Sequence, residues 1–156
     1  METSLKNPVS GTLNVLLVGN NPIELSSVLK NVQQVHGAKI VTEIAFDLKS
    51  VLERLMRFNP NFIFIDDNLG RNELRETINS LSNNKKTKDI PITVLKNSNY
   101  QEALGTSSIL DYLLKKNLSP EAIYNTLKNS LKLRRTQLYL YQVYQKRKNA
   151  LLALTR

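Results

Sequence analysis

The sequence contains no cysteine and a single histidine, His36, and these two shortages exclude several kinds of site. Without cysteine the chain forms no disulfide and offers no thiolate as nucleophile or metal ligand. One histidine cannot supply a metal site that needs several histidine ligands. The absence of cysteine is compatible with a reducing compartment, and residues 1–11 lack a signal-peptide pattern, so we expect a cytoplasmic protein.

Long apolar runs are also missing. A membrane-spanning helix needs about 20 consecutive apolar residues, and no run of this sequence approaches that length. We therefore expect no membrane association. Of the 156 residues, 41% are hydrophobic and 22% are charged, which is typical of one globular domain with a core of its own.

Acidic residues are scarce at the C-terminal end. From Ser119 onward the chain has one acid, Glu121, and eight basic residues, namely Lys128, Lys132, Arg134, Arg135, Lys146, Arg147, Lys148 and Arg156. This segment carries a net charge of +7, which leaves +2 of the total +9 for residues 1–118. The basic character therefore belongs to the tail, and the body is nearly neutral.

Five short apolar runs alternate with helical patterns along residues 13–118. The runs predict strands over 13–18, 38–44, 62–65, 92–95 and 109–114. Between them, helical spacing is carried by Leu25, Val28, Leu29, Val32 and Val35, by Leu48, Val51, Leu52, Leu55 and Met56, and by Leu74, Ile78 and Leu81, with a short helix over 100–104. Continuous apolar strands that alternate with helices indicate an α/β fold with a doubly wound parallel sheet.

A long helix is predicted at the C-terminal end. Ser119, Pro120 and Glu121 form a strong helix start, and no later Gly or Pro interrupts a helix of roughly 35 residues. Its distal apolar positions approximate a seven-residue repeat, weakened by Gln137 and Arg147: Leu133, Leu140, Tyr144, Leu151 and Leu154. We therefore divide the chain into a flexible N-terminus (1–11), a body (12–132) and a helical extension (133–156).

A polar site is predicted at one edge of the sheet. Asp66 and Asp67 follow the third strand, and Lys115 follows the fifth. The carboxyl ends of parallel strands meet at one crevice, so Asp66 and Lys115 should lie close together. Side-chain alternation would direct Asp67 elsewhere unless the strand has already ended.

Residues 13–132 resemble a CheY-like receiver domain, the phosphoacceptor module of response regulators in two-component signalling. The resemblance is carried by residues 60–66, 90–95 and 111–115, which are similar to the third, fourth and fifth strands of that family. It implies a flavodoxin-like sheet with strand order 2-1-3-4-5, and a signalling role rather than an enzymatic one. It also implies that Asp66 is the phosphoacceptor, Lys115 its partner and Tyr112 the switch aromatic.

Several positions depart from the family pattern. The acids that hold magnesium in the family correspond to Gly19 and Asn20, which together with Asn68 make a vestigial metal site. Lys96 replaces the hydroxyl residue that binds the phosphoryl group. Two lysines beside one carboxylate give a formal charge of +1, which disfavours a divalent cation. We therefore predict that the Lys96 ammonium pairs with Asp66 in place of a metal, and that the domain needs no cofactor.

These departures favour an atypical receiver, a phosphorylation-independent module that binds a signalling protein, either a histidine kinase or a downstream effector. The alternative is an active receiver that a histidine kinase phosphorylates on Asp66, with Mg²⁺ bound there or with Lys96 assisting the transfer as a point charge. Because the predicted helix reaches the end of the sequence, we also expect that an output domain once followed it or that the chain is part of a longer protein.

The basic helix has three interpretations. It forms a linker or homodimerisation helix through its apolar seam, it is a solvated helix without further role, or it binds nucleic acid. Nucleic-acid binding would use Arg134, Arg135, Lys146, Arg147 and Lys148, with Tyr139, Tyr141 and Tyr144 interleaved. We consider nucleic acid the least favoured partner, because no helix-turn-helix element follows the body.

Overall fold

The computed structural model describes residues 11–97 and 109–155. Within these two ranges the chain forms five strands: β1 (Thr12–Val18), β2 (Lys39–Ala45), β3 (Phe62–Asp66), β4 (Ile92–Lys96) and β5 (Ile109–Leu114). The same described residues form four helices: α1 (Pro22–Gln33), α2 (Leu48–Leu55), α3 (Arg71–Asn83) and α4 (Pro120–Leu154). Short 3₁₀ turns over Asp67–Leu69 and Lys115–Asn117 follow β3 and β5. The helix predicted over residues 100–104 lies outside the described residues.

All five strands are parallel, in the order β2-β1-β3-β4-β5. The predicted flavodoxin-like fold is therefore confirmed, and each strand bound agrees with the sequence pattern to within one residue. The central strand β3 pairs with β1 through Val15 and Phe62 and with β4 through Ile63 and Ile92. Because the strands run in one direction, their carboxyl ends form a single edge, and this edge carries the candidate site.

The sheet is covered on both faces, as nearly continuous apolar strands require. One face packs against α1 and the first part of α4, and the other packs against α2 and α3. Alternate residues of β3 serve the two sides: Phe62 and Phe64 belong to one core cluster, and Ile63 and Ile65 to the other. Every residue of β3 is buried, so the carboxylate at its end, Asp66, lies in a largely dry environment.

Side-chain caps fix where the helices begin. Asn21 Oδ1 accepts hydrogen bonds from the N–H groups of Ile23 and Glu24, at 3.0 and 3.2 Å, and so starts α1 directly after β1. Asp47 caps α2 as predicted, accepting from the Ser50 N–H at 2.8 Å, and Ser119 caps α4. Hydrogen bonds from the Ser50 backbone and side chain hold the pKa of Asp47 below its ordinary value of 3.8. These caps satisfy amide groups that a helix start leaves without partners.

The helix α4 has two different parts. Ile123, Thr126, Leu127 and Ser130 are buried against the body, and this contact orients the whole helix. Beyond residue 132 the large apolar side chains are exposed: Leu133, Leu138, Tyr139, Leu140, Tyr141, Tyr144, Leu151, Leu152 and Leu154. Within the described part of the chain, no helix combines the length and the hydrophobicity that crossing a bilayer requires. The predicted division at residue 132 falls within one continuous helix and stays a prediction.

Candidate functional site

The structure brings together Asp66 and Lys115 at the carboxyl edge of the sheet. Asp66 is the last residue of β3, and Lys115 begins the turn that follows β5. Nζ of Lys115 lies 2.7 Å from Oδ1 of Asp66, which is a charge-assisted hydrogen bond. Asp66 is only 1% exposed and the Lys115 side chain only 10% exposed. The ion pair is therefore largely shielded from water, where breaking it is costly.

Two further carboxylates surround the Lys115 ammonium. Glu24 Oε1 lies 3.3 Å from Nζ and Asp67 Oδ1 lies 3.7 Å from it. Asn21 caps α1 so that Glu24 stands in its first turn, at the same edge of the sheet as Asp66. Asp67 points into the site because β3 ends at Asp66, and the alternation of side chains along a strand no longer applies.

These contacts change the predicted charge of the site. One ammonium and three carboxylates have a formal charge of −2, whereas the predicted charge was +1, for two lysines beside one carboxylate. The prediction was wrong because it left out Glu24 and Asp67. Glu24 lies on a helix and was not considered, and Asp67 was expected to point elsewhere unless the strand had already ended, as it has. Repulsion of a divalent cation by these four groups is therefore not expected.

The surroundings keep Lys115 charged. Burial lowers the pKa of this lysine, but the hydrogen bonds and negative charges of Asp66 and Glu24 outweigh burial. The net effect raises the pKa of Lys115 above its ordinary value of 10.5. The residue therefore acts as a fixed cation for the carboxylates around it at neutral pH.

The two oxygens of the Asp66 carboxylate have different environments. Oδ1 accepts hydrogen bonds from Lys115 Nζ and, at 2.8 Å, from the backbone N–H of Asn68. Oδ2 is buried and has no hydrogen-bond partner among the residues that the structure describes. Oε2 of Glu24 is buried without such a partner in the same way. The carboxylate is thus held through one oxygen, and its second oxygen is shielded from solvent.

Gly19 and Asn20 occupy the positions where the resemblance places metal-binding acids. Gly19 lies against Asp66, and a Cβ atom at this position would be 3.0 Å from Cβ of Asp66 and 3.0 Å from Cδ2 of Leu25. Any side chain at residue 19 therefore requires its neighbours to move. Asn20 is exposed. Asn68, the third of these positions, accepts a hydrogen bond from Asn97 Nδ2 at 2.9 Å through its side-chain oxygen.

This set of residues does not fit the magnesium site that the resemblance implies. Magnesium prefers several oxygen ligands in octahedral geometry, usually with one or two carboxylates. Over residues 11–97 and 109–155, no three His, Asp or Glu side chains are grouped so that they could hold a metal ion. Lys115 already binds Oδ1 of Asp66, and Gly19 supplies no ligand.

Lys96 and Tyr112 contact each other beside this cluster. Nζ of Lys96 lies 4.8 Å from the centroid of the Tyr112 ring, within the range of a cation–π interaction. Tyr112 is 44% exposed, and burial of the rest of the ring raises its pKa above 10.0. The position predicted for the Lys96 ammonium at Asp66 is held by Lys115, and Lys96 makes no hydrogen bond to Oδ2 of Asp66. The switch role of Tyr112 stays a prediction.

Asn97 is a site residue that sequence reasoning did not identify. Its backbone N–H donates to Asp67 Oδ2 at 3.3 Å, and its side-chain Nδ2 donates to Asp67 Oδ1 at 3.2 Å. Together with the bond to Asn68, these contacts join the end of β4 to the turn after β3. The position of Asn97 in the sequence could have identified it, because it directly follows the last residue of β4, at the edge where β3 and β5 also end.

No protein-family model and no curated protein match this sequence. Solved structures do match its fold. The chemotaxis response regulator CheY4 of Vibrio cholerae is 22% identical, with a TM-score of 0.60, over 76% of this chain and 98% of that chain. A second match is the receiver domain of the sensor histidine kinase PA1611 of Pseudomonas aeruginosa, whose structure has a magnesium ion coordinated in the active-site cleft. It is 16% identical, with a TM-score of 0.65, over 77% of this chain and 98% of that chain.

A third match also extends over the C-terminal helix of this chain. It is a fusion protein that contains the trimeric coiled coil of yeast Spc42, and it is 15% identical, with a TM-score of 0.61, over 92% of this chain and 99% of that chain. At these identities the matches establish the fold and leave the chemistry of the site to be argued from its own residues. The sheet order, the placement of Asp66 and Lys115 and these matches agree: the chain has the fold of a response-regulator receiver domain.

Proposed function

We propose that this chain is a receiver domain of two-component signalling that works through protein contacts and without phosphorylation of Asp66. The observation that carries the proposal is the state of the Asp66 carboxylate. Lys115 and the Asn68 backbone N–H hold Oδ1, Oδ2 is buried, and the residue as a whole is 1% exposed. A phosphoryl donor needs access to one of these oxygens along the line of attack.

The charges around Asp66 support the same conclusion. Transfer of a phosphoryl group to a carboxylate brings two anions together, so a cation must neutralise the charge that develops. Lys115 is a cation in direct contact with Asp66, but it is shared with Glu24 and Asp67. These two carboxylates would repel an incoming phosphoryl group. Lys96 also stands in place of the hydroxyl that binds this group in the family that the sequence resembles.

Intact-mass spectrometry tests the proposal. The protein is incubated with acetyl phosphate and magnesium, and its mass is compared with that of an untreated sample. We expect no gain of about 80 Da, the mass of one phosphoryl group. A gain that is absent in Asp66→Asn and present in Asp67→Asn would contradict the proposal, because it would identify Asp66 as the phosphoacceptor.

An active receiver is the second candidate, and two observations favour it. The cluster around Lys115 has a formal charge of −2, which attracts cations, and Oδ2 of Asp66 is a buried acceptor without a hydrogen-bond partner in the described structure. In that case a histidine kinase would transfer a phosphoryl group to Asp66. The mass experiment separates the candidates, since only the active receiver gains about 80 Da.

We also propose that the distal part of α4 mediates self-association. Its apolar seam is exposed along the helix, with Leu133, Leu140, Tyr144 and Leu151 between 45% and 63% accessible. Burying such a seam against a second helix is the usual way to stabilise a helix that leaves its domain. Sedimentation equilibrium should show a dimer for the full chain and a monomer for Leu140→Glu. Equal particle masses for these two proteins would contradict self-association through this seam.

The other partners follow from the proposed signalling role. A histidine kinase or an effector would bind the body, and the module would have no enzymatic activity of its own; a cytoplasmic location stays a prediction. Nucleic-acid binding through Arg134, Arg135 and Lys146 to Lys148 is the weaker alternative for α4. Electrostatic binding to nucleic acid weakens steeply as salt is added, so titration with arbitrary duplex DNA at two salt concentrations tests it.

A further inference from the structure

The exposed part of α4 has a regular seam along one side. Six residues follow one another at alternating steps of four and three: Leu133, Gln137, Leu140, Tyr144, Arg147 and Leu151. This spacing places all six on one face of a helix, as in the core positions of a coiled coil. All six are exposed, because the body covers α4 only as far as its first part.

The residue types along the seam are symmetric about its midpoint, which the heptad spacing alone does not require. Gln142 is its midpoint. Counted outward from Gln142, Leu140 matches Tyr144, Gln137 matches Arg147, and Leu133 matches Leu151. Apolar positions therefore match apolar positions, and the two polar positions match each other.

The two ways of pairing this seam with a second copy differ in their polar layers. A parallel pair in register places Arg147 against Arg147 and Gln137 against Gln137, so two like charges meet in the seam, which is destabilising. An antiparallel pair with its two-fold axis at Gln142 places each Gln137 against Arg147 of the partner subunit. Oε1 of Gln137 already accepts a hydrogen bond from Nη1 of Arg134 at 3.3 Å, and its second lone pair can accept one from the guanidinium of Arg147 of the partner subunit, so that the arginine gains a partner.

We infer that α4 forms an antiparallel homodimer centred on Gln142, with Leu133 against Leu151 of the partner subunit and Leu140 against Tyr144 of the partner subunit. This arrangement deepens the self-association proposed above and depends on it. A two-fold interface of this kind is isologous, since each helix offers the same surface to the other. It places the two receiver-like bodies at opposite ends of the helix pair.

Like charges beside the seam give the dimer a characteristic salt dependence. In the antiparallel register, Arg134 approaches Lys148 of the partner subunit, and no acid lies between residues 122 and 156 to offset them. Added salt screens this repulsion. The dimer should therefore become tighter as salt rises, whereas binding of the same helix to nucleic acid should become weaker.

Cysteine cross-linking of the full chain determines the direction of the helices, because the natural sequence has no cysteine to interfere. In the antiparallel register, residue 151 is about 27 Å along the axis from its own copy but directly opposite residue 133 of the partner subunit. Oxidation should therefore cross-link the double variant Leu133→Cys/Leu151→Cys and leave both single variants monomeric on a denaturing gel. Cross-linking of either single variant would overturn the antiparallel arrangement.

A charge substitution gives an independent readout in solution. Gln137→Glu places an acid opposite Arg147 of the partner subunit in the antiparallel pair, and we expect the dimer dissociation constant to fall about fivefold from two such layers. In a parallel pair the same change places two glutamates together and weakens association. Gln142→Glu is the matched control, since it changes the charge equally on the face away from the seam and should have a smaller effect.

The outcomes of these experiments distinguish the antiparallel arrangement from the proposal of self-association on which it depends. A full chain that remains monomeric at every concentration and salt level overturns both. A dimer in which the single cysteine variants cross-link, or in which Gln137→Glu weakens association, leaves self-association in place and overturns only the antiparallel arrangement. A dimer in which no cysteine variant cross-links also overturns it, because the contact then lies elsewhere.

Discussion

Nζ of Lys115 lies 2.7 Å from Oδ1 of Asp66, although 49 residues separate them along the chain. The parallel sheet explains this contact, because β3 and β5 both end at the same edge. Lys115 also contacts Glu24 and Asp67, so one ammonium links three segments of the molecule. These contacts of Lys115 should therefore affect two measurable properties, the stability of the fold and the chemistry of Asp66.

Replacing Lys115 should destabilise the fold. Lys115→Met keeps the apolar stem of the side chain but leaves the Asp66 carboxylate buried without its cation. Removing one partner of a buried ion pair typically costs about 3 kcal/mol of unfolding free energy. Denaturant unfolding of the two proteins measures the difference.

Lys116→Met is the matched control for this experiment, because Lys116 is exposed one residue further along. It should change the unfolding free energy by less than about 0.5 kcal/mol. Adding Asp66→Asn to Lys115→Met should restore part of the lost stability, since no unpaired charge then remains buried. Equal losses in Lys115→Met and Lys116→Met would show that the ion pair contributes nothing to stability.

Stability should fall in alkaline solution. The pKa of Lys115 is raised above 10.5 in the folded protein, so its contribution is fully present below pH 10.5 and is lost as pH rises through the higher folded value. The pKa of Tyr112 is also raised, from 10.0, and acts in the same direction. Tyr112→Phe should therefore be the background for the measurement. A pH-dependence of unfolding that is identical with and without Lys115→Met would contradict this assignment.

Adding a methyl group at residue 19 should lower the free energy of unfolding. In Gly19→Ala the new Cβ would lie 3.0 Å from Cβ of Asp66 and from Cδ2 of Leu25, so both must shift. Overpacking of this kind costs about 1–2 kcal/mol, which thermal or denaturant unfolding detects. Asn20→Ala, at the exposed neighbouring position, should have little effect. A Gly19→Ala protein as stable as the parent would show that the site has room for a side chain there.

Much of the fold could be predicted because the local sequence patterns agree with the elements that form there. Each buried strand is a nearly continuous apolar run, and the starts of α2 and α4 are marked by Asp47 and Ser119, whose side chains do cap them. The strand order followed from the resemblance to receiver domains, whereas the alternation of strands with helices indicated only a parallel sheet covered on both faces. The proximity of Asp66 and Lys115 was predictable because Asp66 ends β3, Lys115 directly follows β5, and parallel strands end at one edge of the sheet.

The remainder of the site depended on features that strand patterns do not encode. Glu24 reaches Lys115 from the first turn of a helix, and its placement depends on the Asn21 cap. Asp67 faces the site only because β3 ends one residue earlier. The direction of Lys96 toward the Tyr112 ring is a choice of side-chain rotamer, which residue order alone does not fix.

The central claim is that Lys115, and no metal ion, holds the Asp66 carboxylate. The most direct measurement is a titration of the full chain with magnesium, followed by NMR of the backbone amides of Asn20, Asp66 and Asn68. We predict that millimolar magnesium leaves these resonances in place. Saturable shifts at these three amides that disappear in Asp66→Asn would contradict the claim, because they would demonstrate a metal site at this carboxylate.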